Sequence, residues 1–454
     1  MRVLVSNITL IPDSDMPAIG CDSNGEAGTW DIGIENGTIS FICPHASLGE
    51  AAGNDRDLAA AKSQGCWDQV VHGRGRLALP GLVNAHTHLG MTLLRGYGDD
   101  LPLMVWLQER MWPKEDQLTR DDVYWAALLA IGEMLRGGVT TCGDMYFHMD
   151  ATAHAVAESG IRASLSRGVQ DIGGSGQRGL EEAVSLCREW HRGADGRITT
   201  MLGPHAPFTC SPDFLRKVVS WAERLAVPLH IHVAETETEV GEIAQKYGTT
   251  PLGMLAEHGI LDVPVMAAHC VYFNSSDIDL AVAKGVRIVH CPGSNMKLGS
   301  GIAPLPEMLA AGLVVGLGTD SAASNNKLDL WEEMRFSSLV HKARQQDATV
   351  IPADVALEMA TFGGGGALYM DKVGKLRQGW AADLVLIDTE GLHWQPLGNL
   401  KTSVVYSGQR SDVSLTMVAG RVVYENGKML TIDEDKIRHN IAHSARRLGL
   451  LGTS

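Results

Sequence analysis

Apolar and polar positions along this chain follow two rhythms. From residue 1 to about 75 the apolar runs are short and alternate: "VLVSNITLI", "DIGIENGTISFI" and "VVHGRGRLAL", punctuated by "ENG" and "GRG". A period of two places successive side chains on opposite faces of a strand, so this part reads as β. Between these runs, "HASLGEAAGNDRDLAAAKSQG" is small and polar and reads as a surface insertion.

From residue 80 the runs become continuously apolar: "GLVNAH", "GVTTCGDM", "RASLSRG", "ITTMLGPH", "VPLHIHVAE", "VPVMAAHC", "VRIVHCP" and "LVVGLGTD". Most are separated by segments of helical period. In "LTRDDVYWAALLAIGEMLRGG", Thr119 and Asp122 have the spacing of a capping box and Gly137 can close the helix. "SPDFLRKVVSWAERLA" is a second such segment. Strands apolar on both faces, alternating with helices, describe a parallel sheet covered by helices. Eight of them predict an α/β fold, a (β/α)8 TIM barrel over residues 79–372. β character returns from residue 373 in "GKLRQGWAADLVLID" and "SVVYSGQRSDVSLTMVAGRVVYENG". Neither terminal β segment is long enough for a core of its own. Residues 1–78 and 373–430 are therefore expected to pair into one small β-sandwich. "DEDKIRHNIAHSARRLG" predicts an exposed amphipathic helix in the C-terminal segment 431–454. No internal repeat or low-complexity tract interrupts this order.

A parallel barrel carries its active site at the C-terminal ends of its strands. Five strand-like runs end in, or just before, six ionisable groups: His86 and His88 close the first, His205 the fourth, His232 the fifth, His269 the sixth and Asp320 the eighth, with Glu235 three residues past His232. Side chains two apart on a strand share a face, so His86 and His88 can both point into the barrel mouth. Buried His and Asp are costly without partners. A metal ion satisfies several at once. An imidazole and carboxylate set without thiolates suits Zn²⁺, and Fe²⁺ as well. His230 shares a face with His232 but lies deeper, as a core residue or a support to the ligands. The role of His290 is open. His148, His154, His191, His341 and His393 read as surface or helix residues, and Met91, Met104 and Met111 as packing.

Charge narrows the partners. The net charge of -15, with no Lys/Arg cluster, argues against nucleic acid and anionic membrane. No apolar run reaches transmembrane length, and the N-terminus "MRVLVSNITLIPDSD" lacks the layout of a signal peptide. Eight scattered cysteines without CxxC spacing read as reduced thiols. The expected location is the cytoplasm, with a homo-oligomer left open.

These residues carry a resemblance. "NAHTHLG", "LHIHVAE", "AAHC", "HCPGSNMKLGSGIAP" and "GLGTDSAASNN" are similar to motifs of the amidohydrolase superfamily, in its aminohydrolase branch. "DDLPLMVWLQERMWPKE", "TTCGDMYF" and "GPHAPFTCS" resemble, within that branch, the 5'-methylthioadenosine/S-adenosylhomocysteine deaminases. The likeness spans nearly the whole chain. The insertion near residues 44–66 departs from a compact family member but touches no motif.

The resemblance implies His86, His88, His232 and Asp320 as ligands of one divalent metal. Dinuclear relatives carry a lysine at strand four, where this chain has His205. It also implies hydrolytic deamination of an adenine ring in a small-molecule nucleoside, with 5'-methylthioadenosine, S-adenosylhomocysteine and adenosine as candidate substrates. The metal acidifies a water, Asp320 accepts its proton, Glu235 shuttles a proton to the ring nitrogen, and His269 polarises the attacking oxygen. Glu115 matches the ribose-binding carboxylate, whose oxygens suit two vicinal hydroxyl donors. Arg167 and His205 match substrate-contacting positions. Trp106 either walls the nucleoside site or packs in the core. Arg178, in a glycine-rich loop, is a further candidate for gripping a homocysteine carboxylate. The competing readings are a deaminase of another heterocycle (guanine, pterin or triazine), an amide or ester hydrolase on the same barrel, and a metal-free interaction scaffold. Glu115 with Trp106 favours a nucleoside over a bare base, Glu235 favours a deaminase over an amide hydrolase, and the filled ligand positions oppose a scaffold.

Overall fold

The structure, a computed structural model, describes residues 1–11, 28–45, 67–174 and 176–450. Nearly all of the insertion expected at 44–66 lies outside the described residues. The chain opens with β1 (Arg2–Leu10), β2 (Trp30–Glu35), β3 (Thr38–Pro44), β4 (Gln69–His72) and β5 (Arg76–Pro80). Eight strands separated by helices and turns follow: β6 (Leu82–Thr87), β7 (Val139–Tyr146), β8 (Arg162–Val169), β9 (Ile198–Pro204), β10 (Leu229–Val233), β11 (Val265–His269), β12 (Arg287–His290) and β13 (Val315–Leu317). The chain then returns through β14 (Leu384–Asp388), β15 (Val413–Val418), β16 (Arg421–Glu425) and β17 (Lys428–Met429).

All eight apolar runs are strands, and β6 to β13 lie side by side in chain order, parallel throughout. The ring closes between its first and last members by a parallel bridge of Thr87 with Asp320, where the Asp320 N–H donates to His86 O at 3.0 Å. The fold is the expected (β/α)8 barrel. Its closing contact joins two segments that also carry candidate ligands.

The terminal strands form one mixed sheet in the order β17-β16-β15-β14-β5-β1-β2-β3, with β4 also on β1. A register shift between Val5 and Ile8, with Asn7 at φ 60°, bends β1. Its first half pairs with β2 and β4, and Thr9 and Leu10 pair with β5. One strand thus serves both layers of the expected sandwich. The bend lets Val3, Ile8, Ile32 and Ile34 share a core with Leu384, Leu386, Leu415 and Met417 from the other terminus. The expected division after residue 78 falls inside β5, which stays in the sheet through Pro80.

The sandwich is fastened to the barrel by polar contacts. Arg162 forks onto Asp383 at 2.7 and 3.1 Å, and Thr416 Oγ1 donates to Leu135 O at 2.7 Å. The helix Arg120–Arg136 has the expected capping box. Asp122 N donates to Thr119 Oγ1 at 3.3 Å, Thr119 N donates to Asp122 Oδ2 at 2.8 Å, and Gly137 caps the other end. The C-terminal helix runs Glu434–Arg447 and packs on this one, burying Ile437 and Ala445 and pairing Arg447 with Asp122.

Candidate active site

His86 and His88 leave the end of β6 on one face, as their spacing requires. Each ring is held by its Nδ1. His88 Nδ1 donates to Met145 O at 2.5 Å, and His232 Nδ1 donates to His205 O at 2.7 Å. A carbonyl only accepts, so these nitrogens carry hydrogens and both Nε2 atoms face the cluster. Behind His86, its Nδ1 lies 2.7 Å from His230 Nε2, and His230 Nδ1 lies 3.1 Å from Ser166 Oγ. His230 is therefore the expected support to a ligand, buried and held neutral by that burial and by the imidazoles around it.

The free atoms converge. His88 Nε2 and His232 Nε2 are 3.3 Å apart, and Asp320 Oδ1 lies 3.1 Å from His88 Nε2 and 3.5 Å from His86 Nε2. His86 Nε2 is buried without a hydrogen-bond partner. The set His86, His88 and His232, and the set His86, His269 and Asp320, each bring their donor atoms within 4.8 Å of one another. Two imidazole nitrogens facing each other at this distance repel unless a proton or a metal ion lies between them. Three imidazole nitrogens and a carboxylate oxygen fit a divalent metal, and the anchored Nδ1 atoms supply the outer hydrogen bonds such ligands need.

The electrostatics agree. Burial opposes charge on Asp320, yet His86 and His88 outweigh it and hold its carboxyl well below the usual carboxylate range. Burial also opposes charge on His88, but the Asp320 carboxylate prevails and lifts it to about 9. His86 is pushed down to about 3 by burial, and His232 far down by burial and its imidazole neighbours. The site thus draws positive charge to Asp320, as a proton on His88 or as a metal ion in its place, and keeps His86 and His232 neutral, as ligands must be. Asp320 itself sits at φ 59° and accepts from Ser294 Oγ at 2.6 Å and Ser324 Oγ at 2.9 Å.

Above the cluster opens a cleft floored by His88, His205, His232, Glu235, His269 and Asp320. Its walls include Leu103, Trp106, Trp112, Phe147 and Phe208. A mostly apolar lining with a few convergent polar groups is that of a small-ligand site. His269 Nδ1 lies 2.9 Å from Asn295 Oδ1, and its Nε2 lies 3.9 Å from Glu235 Oε2. Burial raises the Glu235 carboxyl above its usual value, the direction a proton donor needs. Glu115 lines the same cleft, accepts from Tyr146 OH at 2.9 Å, and is pushed up to about 7 by burial against the pull of that bond. Trp106 is buried and walls the cleft, and His205, pushed down to about 4 by burial, is part of the floor.

Two expected contacts lie elsewhere. Ser166 points inward to His230, so Arg167, one residue on, points outward. Arg167 donates to Glu182 Oε2 at 2.9 Å with its guanidinium 5.0 Å over the Phe147 ring, outside the cleft lining. Arg178 is not in a loop. It stands on the helix Gly176–Trp190, highly exposed, and donates to Glu182 Oε1 at 3.0 Å.

Some participants escape sequence reading. Tyr146 ends β7 as His269 ends β11, so the rule that found the histidines could have found it. Ser294 and Asn295 lay inside a recognised motif without an assigned task. Met91, read as packing, also lines the cleft. His341, read as a surface or helix residue, is a helix residue but a buried one, 3.5 Å from His290 Nε2; the His290 and His341 pair stands apart from the cleft lining.

A cluster of imidazoles and a carboxylate at the C-terminal mouth of a (β/α)8 barrel defines a class of metal-binding hydrolases. Residues 77–423 match the sequence profile of the amidohydrolase family, and the chain belongs to that family. It is 50% identical over 418 residues to the 5-methylthioadenosine/S-adenosylhomocysteine deaminase of Pelotomaculum thermopropionicum, covering 92% of this chain and 94% of that one. It is 45% identical over 449 residues to the protein of the same name from Desulforudis audaxviator, covering 99% of each. Among solved structures, an adenosine deaminase of Xanthomonas campestris with bound zinc is 31% identical, with a TM-score of 0.87 over 99% of each chain. Among the described residues, no helix is long and apolar enough to cross a membrane.

Proposed function

We propose that the protein removes the exocyclic amine from the adenine ring of 5'-substituted adenosines by hydrolysis. Its substrates are 5'-methylthioadenosine and S-adenosylhomocysteine, with adenosine in range, and its products are the inosine analogue and ammonia. The observation that carries this reading is one cleft shared by the imidazole cluster, Glu235 and Glu115. It joins a hydrolytic end to a carboxylate suited to ribose, and the names of the relatives support it.

One divalent ion, Zn²⁺ with Fe²⁺ as the alternative, would be held by His86, His88, His232 and Asp320. When bound, such an ion supplies Lewis-acid polarisation and a water acidic enough to react near neutral pH. The remaining work falls to side chains. Asp320 accepts a proton from the attacking water, and His269, steadied by Asn295, orients the oxygen. Glu235, whose carboxyl burial raises above its usual value, delivers a proton to the ring nitrogen next to the amine-bearing carbon. The new C–O bond forms, the amine takes the proton held by Asp320, the C–N bond breaks to release ammonia, and the hydroxyl of the intermediate returns its proton to Glu235 as the oxo group forms. Trp106 packs against the nucleoside, His205 contacts it, and Glu115 accepts from the ribose hydroxyls. The described cysteines are all free thiols, which suits a reducing cytoplasm.

Ammonia release measured on adenosine, 5'-methylthioadenosine, S-adenosylhomocysteine, adenine, guanine and cytosine tests the reading. Turnover concentrated on the two 5'-thio nucleosides is expected. Turnover of a bare base alone would move the protein to the heterocycle deaminases.

A further inference from the structure

Glu239 is a buried acid that the chemistry above does not use. It occupies the third position of the helix Glu237–Tyr247, whose cap is Thr236, and its own N–H donates to Thr236 Oγ1 at 3.2 Å. An acid at that position ordinarily turns back to the N–H of the cap residue. The capping boxes at Thr119 with Asp122 and at Asn274 with Asp277 do so in this molecule. Glu239 reaches further. Its Oε2 accepts from Glu235 N at 2.8 Å and its Oε1 from Ala234 N at 3.0 Å. The helix is already capped by Thr236, so these two bonds serve the preceding peptide.

That peptide needs support. Ala234 sits at φ 51°, in the left-handed region that non-glycine side chains resist. Its other side is tied to the turn after β11: Cys270 N donates to Val233 O at 3.0 Å and Tyr272 N to Ala234 O at 3.0 Å. The same turn begins at His269. The backbone before Glu235 is thus clamped between the Glu239 carboxylate and the segment that carries His269, and the spacing of Glu235 from His269 follows from that clamp.

We infer that Glu239 is a positioning residue for the reaction: its carboxylate fixes the Ala234–Glu235 peptide and so aims the Glu235 carboxyl. The inference rests on the reading of Glu235 as the proton shuttle. Glu239→Gln offers one acceptor and one donor where two acceptors are needed. It should lower kcat by roughly tenfold or more with KM within about twofold, because the geometry it protects matters in the transition state. Metal content should be unchanged.

The decisive readout is a double-mutant cycle. In a Glu235→Gln background the Glu239→Gln change should cost nothing further, since its path runs through the lost carboxyl. The same loss in both backgrounds marks a general structural role and overturns the inference. Glu239→Asp, which keeps the charge but shortens the arm, gives the same test if the Gln variant does not accumulate. A slow Glu235→Gln beside a normal Glu239→Gln overturns this inference alone. A near-normal Glu235→Gln removes the proton shuttle, and the inference falls with it.

Discussion

The Tyr146 hydroxyl and the Glu115 carboxylate are 2.9 Å apart on the cleft wall, and the proposed choice of a nucleoside over a bare base rests on Glu115. Glu115 is half-buried on the cleft wall, where its carboxylate faces the space a substrate would take. A hydrogen bond to a charged group contributes about 1.5–3 kcal/mol. Glu115→Ala should therefore lower kcat/KM on 5'-methylthioadenosine roughly tenfold to a few hundredfold. The weak rate on a 2',3'-dideoxy analogue should barely change, because the lost partner is absent there already. Metal content should hold, since Glu115 is outside the converging donors. Equal losses on both substrates, with fold and metal intact, would remove Glu115 from ribose recognition.

Elements decide how these residues are held. The helix Arg120–Arg136 is fixed at its start by the Thr119 and Asp122 box, and Asp122 also receives Arg447 from the C-terminal helix. One side chain thus caps one helix and docks another. Asp122→Ala should cost about 1–2 kcal/mol for the cap, read by chemical denaturation, with kcat and KM unchanged because Asp122 does not line the cleft. A variant as stable as the parent would show that the docked helix does not depend on that carboxylate. Strand ends make the complementary point. β6 and β13 meet at Thr87 and Asp320, so the bridge that closes the barrel also sets Asp320 beside His86 and His88.

For the whole molecule, metal and protons are the variables. About one divalent ion per chain is expected by elemental analysis. His88→Ala should lose both ion and turnover, and full activity in a chelated, metal-free sample would contradict the site. Stability should also depend on Glu333, which accepts from Gly293 N at 2.9 Å and Asn325 Nδ2 at 2.7 Å. Burial pushes its carboxyl up to about 8 from a usual 4.5, against the pull of those bonds. The fold then keeps a proton that the unfolded chain has released. Its stabilising contribution is complete below the usual value and is lost as pH rises through about 8. Glu333→Gln does not titrate and lacks one acceptor, so it starts less stable in acid. The gap to the parent should narrow from about pH 5 to about pH 9. A constant gap would mean that Glu333 is ionised in the fold.

The sequence by itself determined the barrel, the pairing of the two termini and the converging histidines. Those features follow from local periods: two for strands, near four for helices, and polar residues at the strand ends. The capping box at Thr119 was legible for the same reason, because its partners are three residues apart. Tertiary structure alone decided the rest. Arg167 faces out because its neighbour Ser166 faces in, and that choice depends on where the helices lie. Arg178 sits on a helix despite the glycines around it. Glu239 gained its task by meeting a peptide whose left-handed turn no local pattern announces. The single sheet of the sandwich needed the bend at Asn7, where β1 passes from one layer to the other. Periodicity states which face a residue takes. Only packing of distant segments states what that face meets.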